Sequence, residues 1–205
     1  MRSQSLDGTR VAILVADNFE QVELVKPREA LQDAGAETFL ISPSEGLTIG
    51  PLTVVQPVKG EVQGMNHDKQ GDRFRVDIAL EEADPDDFDA LLLPGGVMNA
   101  DQLRMSEAAR KFVRSFDEND KPIAVICHGA WLLVSAALVS GRTLTSWPTL
   151  QDDIRNAGGH WVNNSIVCDH NWLSSRAPVD IPAFSETLIE ILEEWEPFGS
   201  IEQAA

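Results

Sequence analysis

The stretch Ala124-Val125-Ile126-Cys127-His128-Gly129 decides the fold of this chain. The apolar run from Ile123 to Ile126 predicts a buried strand that ends at a cysteine, and the apolar residues from Ala130 to Val134 predict a helix directly after the turn. A strand, a tight turn and a helix, with a thiol at the turn, are typical of a nucleophile elbow in which cysteine replaces serine. We therefore expect the thiol to lie at the carboxyl edge of a sheet.

The local surroundings of Cys127 predict a reactive thiol. A position at a helix N-terminus favours thiolate over thiol, and the neighbouring His128 is a candidate base or cation. Side chains of successive residues usually diverge, so contact between these two requires a bent, strained backbone at Cys127. The alternative is that Cys127 is a small buried hydrophobe, the usual role of a cysteine at a strand end.

Outward from this stretch, strands and helices alternate along the chain. Non-alternating apolar runs predict buried strands, and amphipathic stretches ending at glycine predict helices. The predicted elements are strands at Arg10 to Ala16, Glu37 to Ile41, Leu52 to Val55, Ala90 to Leu93 and Leu144 to Ser146; a late hairpin around His170-Asn171; and helices at Glu20 to Ala34, Asp101 to Asp117, Ala130 to about Ser140, Leu150 to Ala157 and Ile181 to Trp195. This order predicts an α/β protein, a three-layer α/β/α sandwich with a mostly parallel sheet. We expect one domain over residues 1–205, with its core at about 10–195.

Composition narrows the classes of function. The chain has 205 residues and a net charge of −17, which argues against generic nucleic-acid binding because phosphates are neutralised by basic residues. No apolar run is long enough for a membrane span and no leader pattern is visible, so we expect a soluble, cytoplasmic protein. Two cysteines cannot form a disulfide framework, and no spacing of cysteine and histidine indicates a metal site. No cofactor is indicated.

Three loops are predicted to meet at the carboxyl edge of the sheet, where open α/β sheets bind ligands. The first loop, Asp17 to Glu23, supplies Glu20 and Glu23, three residues apart and so on one helix face, although acids also stabilise helix N-termini without any further role. The second supplies the backbone N–H groups of Gly95 and Gly96 as candidate oxyanion donors; its Asp101 is either functional or a helix cap. The third contains Cys127, His128 and Gly129.

Several short motifs of the chain form a recognisable set. They are Asn18 to Leu24 with Pro27, Phe88 to Gly96, Ala124 to Gly129, Gly141-Arg142 with Thr145-Ser146, Asp152-Asp153, Asn156 to Gly158, and Ser174-Ser175-Arg176 with Pro178. Over about Val11 to Leu192 the chain resembles the PfpI-type intracellular proteases of the ThiJ/PfpI superfamily. The superfamily is related to the class I glutamine amidotransferases, so the resemblance implies a flavodoxin-like sandwich.

The resemblance also implies roles for individual residues. Cys127 matches the reactive cysteine and His128 the histidine that follows it, while Glu23 matches the acid beside the thiol and Glu20 a second acid found in some members. The backbone at Gly96 and His128 matches the oxyanion donors. Asp101 matches a triad acid that comes from a neighbouring subunit. The resemblance therefore implies a homo-oligomer, a dimer or a hexamer.

Three departures from the family pattern bear on the activity. Asp101 replaces a glutamate in a loop one residue longer, Trp147 stands where some proteolytic members have tyrosine, and the segment 43–74 is long. The departures at Asp101 and Trp147 favour a cysteine-dependent stress-response hydrolase of the deglycase or glyoxalase type, acting on reactive carbonyls or their protein adducts. The long segment bears on oligomer contacts near the cleft. One alternative is a cysteine peptidase with a Cys-His-Asp triad across subunits; the other is a non-enzymatic redox sensor or chaperone.

Overall fold

A seven-stranded, mostly parallel sheet forms the centre of the protein in the computed structural model, which describes residues 5–195. The strands are β1 Arg10–Leu14, β2 Phe19–Glu20, β3 Glu37–Ser42, β4 Leu47–Ile49, β5 Leu52–Val55, β6 Glu61–Asn66, β7 Lys69–Arg75, β8 Ile78–Ala79, β9 Ala90–Leu93, β10 Ile123–Ile126, β11 Thr143–Leu144, β12 His160–Trp161, β13 Ile166–Asp169 and β14 Trp172–Ser175. The helices are α1 Gln21–Asp33, α2 Val97–Met105, α3 Glu107–Glu118, α4 Ala130–Ser135, α5 Gln151–Asn156 and α6 Ile181–Glu194.

The order of strands in the central sheet is β13-β14-β10-β9-β1-β3-β8. Every neighbouring pair is parallel except β13 and β14, which form the late hairpin. Both faces are covered: Ala12 and Leu14 of β1 pack on the side of α2 to α5, whereas Val11 and Ile13 pack on the side of α1 and α6. The predicted three-layer α/β/α sandwich is confirmed.

The prediction of one helix from Asp101 to Asp117 is wrong. The structure has two helices, because Ser106 adopts an extended backbone and its hydroxyl accepts a hydrogen bond from the Ala109 N–H at 3.2 Å. Serine is a favoured N-cap residue, so it ends α2 and begins α3. The helix after the cysteine is also shorter than predicted: α4 ends at Ser135, and Ala137 takes a left-handed φ of 61°.

The segment 43–74 contains two hairpins, β4–β5 and β6–β7. Strand β6 also pairs in parallel with the short strand β2, and Glu20 lies opposite Met65. The second hairpin is therefore fastened to the residues that begin α1. Among residues 5–195, no helix combines the length and the apolar character that crossing a membrane requires.

Candidate active site

A cleft lies where the predicted loops meet, at the carboxyl ends of the adjacent strands β10, β9 and β1. Its volume is about 310 Å³, and its lining includes Glu20, Glu23, Gly96, Cys127 and His128. A larger groove of about 740 Å³ runs between α1 and α6, but its lining contains no cysteine or histidine. The smaller cleft is thus the one that holds the candidate nucleophile.

Cys127 occupies the sharp turn that the sequence predicts. Its φ is 61°, a left-handed conformation that costs free energy for a residue with a Cβ atom, and residues Cys127–Gly129 form a short 3₁₀ turn between β10 and α4. The bend brings Sγ to 3.3 Å from Nδ1 of His128. The strained backbone that such a contact requires is present, and so is the contact between the neighbouring side chains.

Glu23 lies in the first turn of α1 and is fully buried. Its Oε2 accepts a hydrogen bond from the Gly95 N–H at 2.8 Å, whereas Oε1 has no hydrogen-bond partner among the described residues. Burial raises the pKa of Glu23 to about 8, assisted by the charge of Glu20 and opposed by the contacts with Gly95 and Cys127. At neutral pH the carboxyl therefore holds a proton, as a buried acid does when desolvation outweighs its hydrogen bonds.

The expectation that the helix N-terminus makes Cys127 a thiolate is not supported. Burial raises the pKa of the thiol above its ordinary value, and the Glu23 carboxyl raises it further when that carboxyl is ionised. The backbone N–H groups of His128 and Gly96 lower that pKa, which places both donors against the sulfur. Since burial also lowers the pKa of His128, the imidazole is a neutral base in the resting protein and not a cation.

The two glycines that follow β9 allow the close packing of this site. A Cβ atom at Gly95 would lie 2.6 Å from Glu23 Oε2 and 2.7 Å from the Cys127 Cβ, so no side chain fits there. Gly96 has a φ of 95°, a conformation that residues other than glycine rarely adopt. Because the Gly95 N–H is donated to Glu23, Gly96 and His128 remain as the donors that face the sulfur.

Asp101 does not lie where the sequence predicts. Helix α2 begins at Val97, directly after Gly96, so Asp101 is inside the helix and not a cap or the end of a loop. Its side chain is exposed and does not line the cleft of its own protomer. A contribution of Asp101 to the site of a neighbouring subunit stays a prediction.

Glu20 lies on the cleft wall, with 14% of its side chain exposed. Its Oε2 accepts a hydrogen bond from the backbone N–H of His67 at 3.3 Å, and the His67 imidazole Nδ1 is 3.6 Å from the same oxygen. The sequence indicates only a surface role for His67, which is indeed 82% exposed. The β6–β7 hairpin nevertheless carries it to the cleft.

Sequence reasoning missed Asn99, a buried residue of α2 that holds the site together. Its Oδ1 accepts a hydrogen bond from the Ala16 N–H at 2.6 Å, and its Nδ2 donates to the carbonyls of Pro94 and Gly95 at 3.0 and 2.9 Å. One side chain thus joins the ends of two strands. An asparagine in a polar helical turn gives no signal of such a role.

Trp147 forms one side of the cleft. Its ring stacks on the His128 ring, with centroids 5.9 Å apart and an interplanar angle of 26°. The backbone N–H of Trp147 also contacts the turn at Cys127, where it donates a hydrogen bond to the Cys127 carbonyl at 3.2 Å. In residues 5–195, no group of three or more histidine, cysteine or acidic residues is arranged to hold a metal ion.

Comparison with known proteins shows similarity over nearly the whole chain. The chain is 39% identical over 184 residues to a protein of Pyrococcus abyssi named a deglycase, covering 90% of this chain and 99% of the relative. It is 35% identical over 184 residues to the deglycase PfpI of Pyrococcus furiosus, with the same coverage. The fold is similar to that of Drosophila melanogaster DJ-1β, with a TM-score of 0.75 over 91% of each chain at 23% identity. The model of the DJ-1/PfpI family matches residues 9–191, and the chain belongs to that family.

Proposed function

We propose that this protein is a cysteine-dependent hydrolase of the deglycase or glyoxalase type, acting on α-oxoaldehydes and on the adducts they form with protein side chains. The observation that carries the proposal is the pairing of a buried, protonated Glu23 carboxyl with Cys127 at a strained turn on the cleft floor. The names of the curated relatives, which cover nearly the whole chain, support the same chemistry.

The residues around the sulfur supply what attack on a carbonyl requires. As Sγ bonds to the aldehyde carbon, Nδ1 of His128 accepts the thiol proton, since it lies 3.3 Å away on a neutral ring. The N–H groups of Gly96 and His128 stabilise the negative charge that develops beside the sulfur. The protonated Glu23 is a proton donor in the same space.

The remaining steps need water and no outside oxidant. In the hemithioacetal, a proton moves from the former aldehyde carbon to the neighbouring ketone carbon through an enediol, with Glu23 or His128 transferring it. The first carbon is thereby oxidised to a thioester while the second is reduced to an alcohol. Water then hydrolyses the thioester, which restores the thiol and releases a 2-hydroxy acid.

The decisive experiment follows the turnover of methylglyoxal by freshly reduced protein, with Cys127→Ala and Cys127→Ser variants and a peptide substrate in parallel. Cys168→Ser is the matched control, because Cys168 is an exposed cysteine on β13, outside the cleft. We expect many turnovers of methylglyoxal, complete loss in both Cys127 variants, and activity in Cys168→Ser within about twofold of the wild type.

Other outcomes would decide against the proposal. Turnover of the peptide alone would favour the peptidase. No turnover of either substrate, with rapid stoichiometric oxidation of Cys127, would favour the redox sensor.

A further inference from the structure

The imidazole of His128 has a single hydrogen bond to orient it among residues 5–195. That bond joins its Nδ1 to Cys127 Sγ at 3.3 Å. The histidines of this part of the chain that pair with an acid are His67 and His170, so no carboxylate in it lies within 4.0 Å of a His128 ring nitrogen. In a catalytic triad, a third group fixes the orientation and the tautomer of the base. A different feature must hold this ring in the protomer.

Two indole rings contact the imidazole. Trp147 stacks on it, as described above, and Trp131 meets it edge to face, with ring centroids 5.4 Å apart and an interplanar angle of 64°. Trp147 lines the cleft, whereas Trp131 does not. Trp131 therefore contacts the base from a place where it does not touch a substrate.

Neighbouring helices hold Trp131 itself in place. Its Nε1–H donates a hydrogen bond to Asp153 Oδ2 of α5 at 2.9 Å. The guanidinium carbon of Arg104, in α2, lies 5.1 Å from the centroid of the Trp131 ring. The Arg104 Nε–H also donates to the Ser135 hydroxyl, at the end of α4, at 2.9 Å. The indole is thus fixed through its nitrogen and through its ring, by residues outside its own helix.

The orientation of the imidazole matters because its two nitrogens are not equivalent. The thiol of Cys127 keeps its proton at rest, since burial raises its pKa, so Sγ–H donates to Nδ1 of His128 and the ring proton lies on Nε2. A half-turn of the ring about its Cβ–Cγ bond would place a carbon against the sulfur. The base would then have no acceptor for the thiol proton.

We propose that Trp131, anchored by Asp153, is a positioning residue that keeps Nδ1 of His128 directed at Cys127 Sγ. The indole takes the part that a carboxylate plays in a triad, and it does so by packing instead of by charge. The consequence for turnover rests on the proposed function. The orientation of the ring does not, because it can be measured without a substrate.

The first experiment measures this orientation in a Cys168→Ser background, in which Cys127 is the one thiol. Nitrogen NMR gives the tautomer of His128, and iodoacetamide gives the alkylation rate of Cys127. Trp131→Phe keeps an aromatic ring but loses the Nε1–H. We expect a mixture of tautomers in place of the Nε2–H form, and an alkylation rate about tenfold lower, because a small misplacement of a reacting group is costly.

The second experiment asks whether Asp153 acts through Trp131. Asp153→Ala should lower the alkylation rate as much as Trp131→Phe, and the double variant should be no slower than either, because both changes break the same hydrogen bond. Asp153→Asn should keep the wild-type tautomer and rate, since an amide oxygen accepts the same bond. Asp152→Ala is the matched control, because this neighbouring acid of α5 has a side chain that is 84% exposed.

Two results would overturn the proposal. One is a wild-type tautomer and alkylation rate in both Trp131→Phe and Asp153→Ala. The other is a change of tautomer in Asp101→Asn with none in Trp131→Phe, which would assign the orientation of the ring to an acid of a neighbouring subunit.

Assays with methylglyoxal separate this inference from the proposed function. We expect Trp131→Phe to lower kcat about tenfold and to leave KM nearly unchanged, because Trp131 does not line the cleft. A raised KM with an unchanged kcat would overturn the positioning role. Failure of the proposed function would instead appear as no Cys127-dependent turnover in the wild type, and the tautomer and alkylation rates would still decide the role of Trp131.

Discussion

At the scale of single residues, the site depends on where protons reside. Cys127, Glu23 and His128 are all desolvated, and burial favours the neutral form of each. The resting site is therefore a thiol, a carboxylic acid and a neutral imidazole, not a preformed ion pair. Charge develops only when the thiol attacks a bound carbonyl. The reactive thiolate therefore forms only while a substrate occupies the cleft.

The protonation of Glu23 predicts a dependence of stability on pH. The folded pKa of about 8 lies above the ordinary value of 4.5, so Glu23 adds no penalty below pH 4.5 and destabilises the fold increasingly as pH rises through 8. Glutamine cannot ionise. We expect the free energy of unfolding of Glu23→Gln, relative to the wild type, to rise by up to about 5 kcal/mol between pH 4.5 and 9.

Urea denaturation at several pH values measures this difference. Glu29→Gln is a suitable control, because Glu29 is exposed on the same helix. A stability difference between Glu23→Gln and the wild type that is independent of pH would show that Glu23 is ionised in the fold.

At the scale of elements, the ends of strands β1, β9 and β10 position the site, and these were the easiest parts to predict. Each is a short apolar run with a polar residue or glycine within three residues of its end, which is the pattern of a buried parallel strand. The break at Ser106 was missed because helical residues lie on both sides of it. Tertiary hydrogen bonds, such as those of Asn99, leave no periodic trace in a sequence.

The same limits apply to the site itself. The residues of the elbow and of the α1 start were predictable because they adjoin strand ends and match a family motif. The position of His67 was not, since it depends on β6 pairing with the two-residue strand β2. The proton on the thiol was also beyond prediction, because it follows from burial and from the contact with Glu23 rather than from the helix N-terminus.

The hydrogen bonds of Asn99 predict that the ends of β1 and β9 depend on one side chain of α2. Asn99→Ala leaves the Ala16 N–H and the Pro94 carbonyl without partners in a buried place, while the Gly95 carbonyl keeps its hydrogen bond from the Glu20 N–H at 3.2 Å. We expect a loss of about 3 kcal/mol in the free energy of unfolding, since unpaired buried polar groups cost about 1–3 kcal/mol each. Urea denaturation measures it, with Asn119→Ala as the control.

The Asn119 side chain makes a comparable hydrogen bond, to the Ser115 carbonyl at 2.8 Å, but in an exposed position. Its removal should cost less than about 1 kcal/mol, because water replaces the bond. Equal losses in both variants would mean that Asn99 does not brace the strand ends.

At the scale of the whole molecule, the net charge of −17 adds a long-range field to the local charge of Glu20. A negative field lowers the local concentration of anions and raises that of cations near the surface. The cleft and the molecule as a whole therefore select in the same direction, against anionic carbonyls.

This agreement predicts a salt dependence. Raising the ionic strength from 0.01 M to 1 M shortens the screening length from about 30 Å to about 3 Å. In a Cys168→Ser background, we expect the rate of Cys127 alkylation by iodoacetate, an anion, to rise several-fold relative to the rate with neutral iodoacetamide, which controls for other effects of salt. Alkylation rates at several ionic strengths measure the ratio; a ratio that falls or stays constant would show that the field does not reach the cleft.

The stacking of Trp147 on His128 makes the cleft visible to spectroscopy. The chain has five tryptophans and no tyrosine, and Trp147 is 39% exposed. An indole emits at shorter wavelength when water leaves its surface, and a protonated imidazole in contact with it quenches the emission. Substrate entry and proton transfer to His128 should each change the intrinsic fluorescence. Trp147 therefore serves as an intrinsic fluorescent reporter beside the reacting thiol.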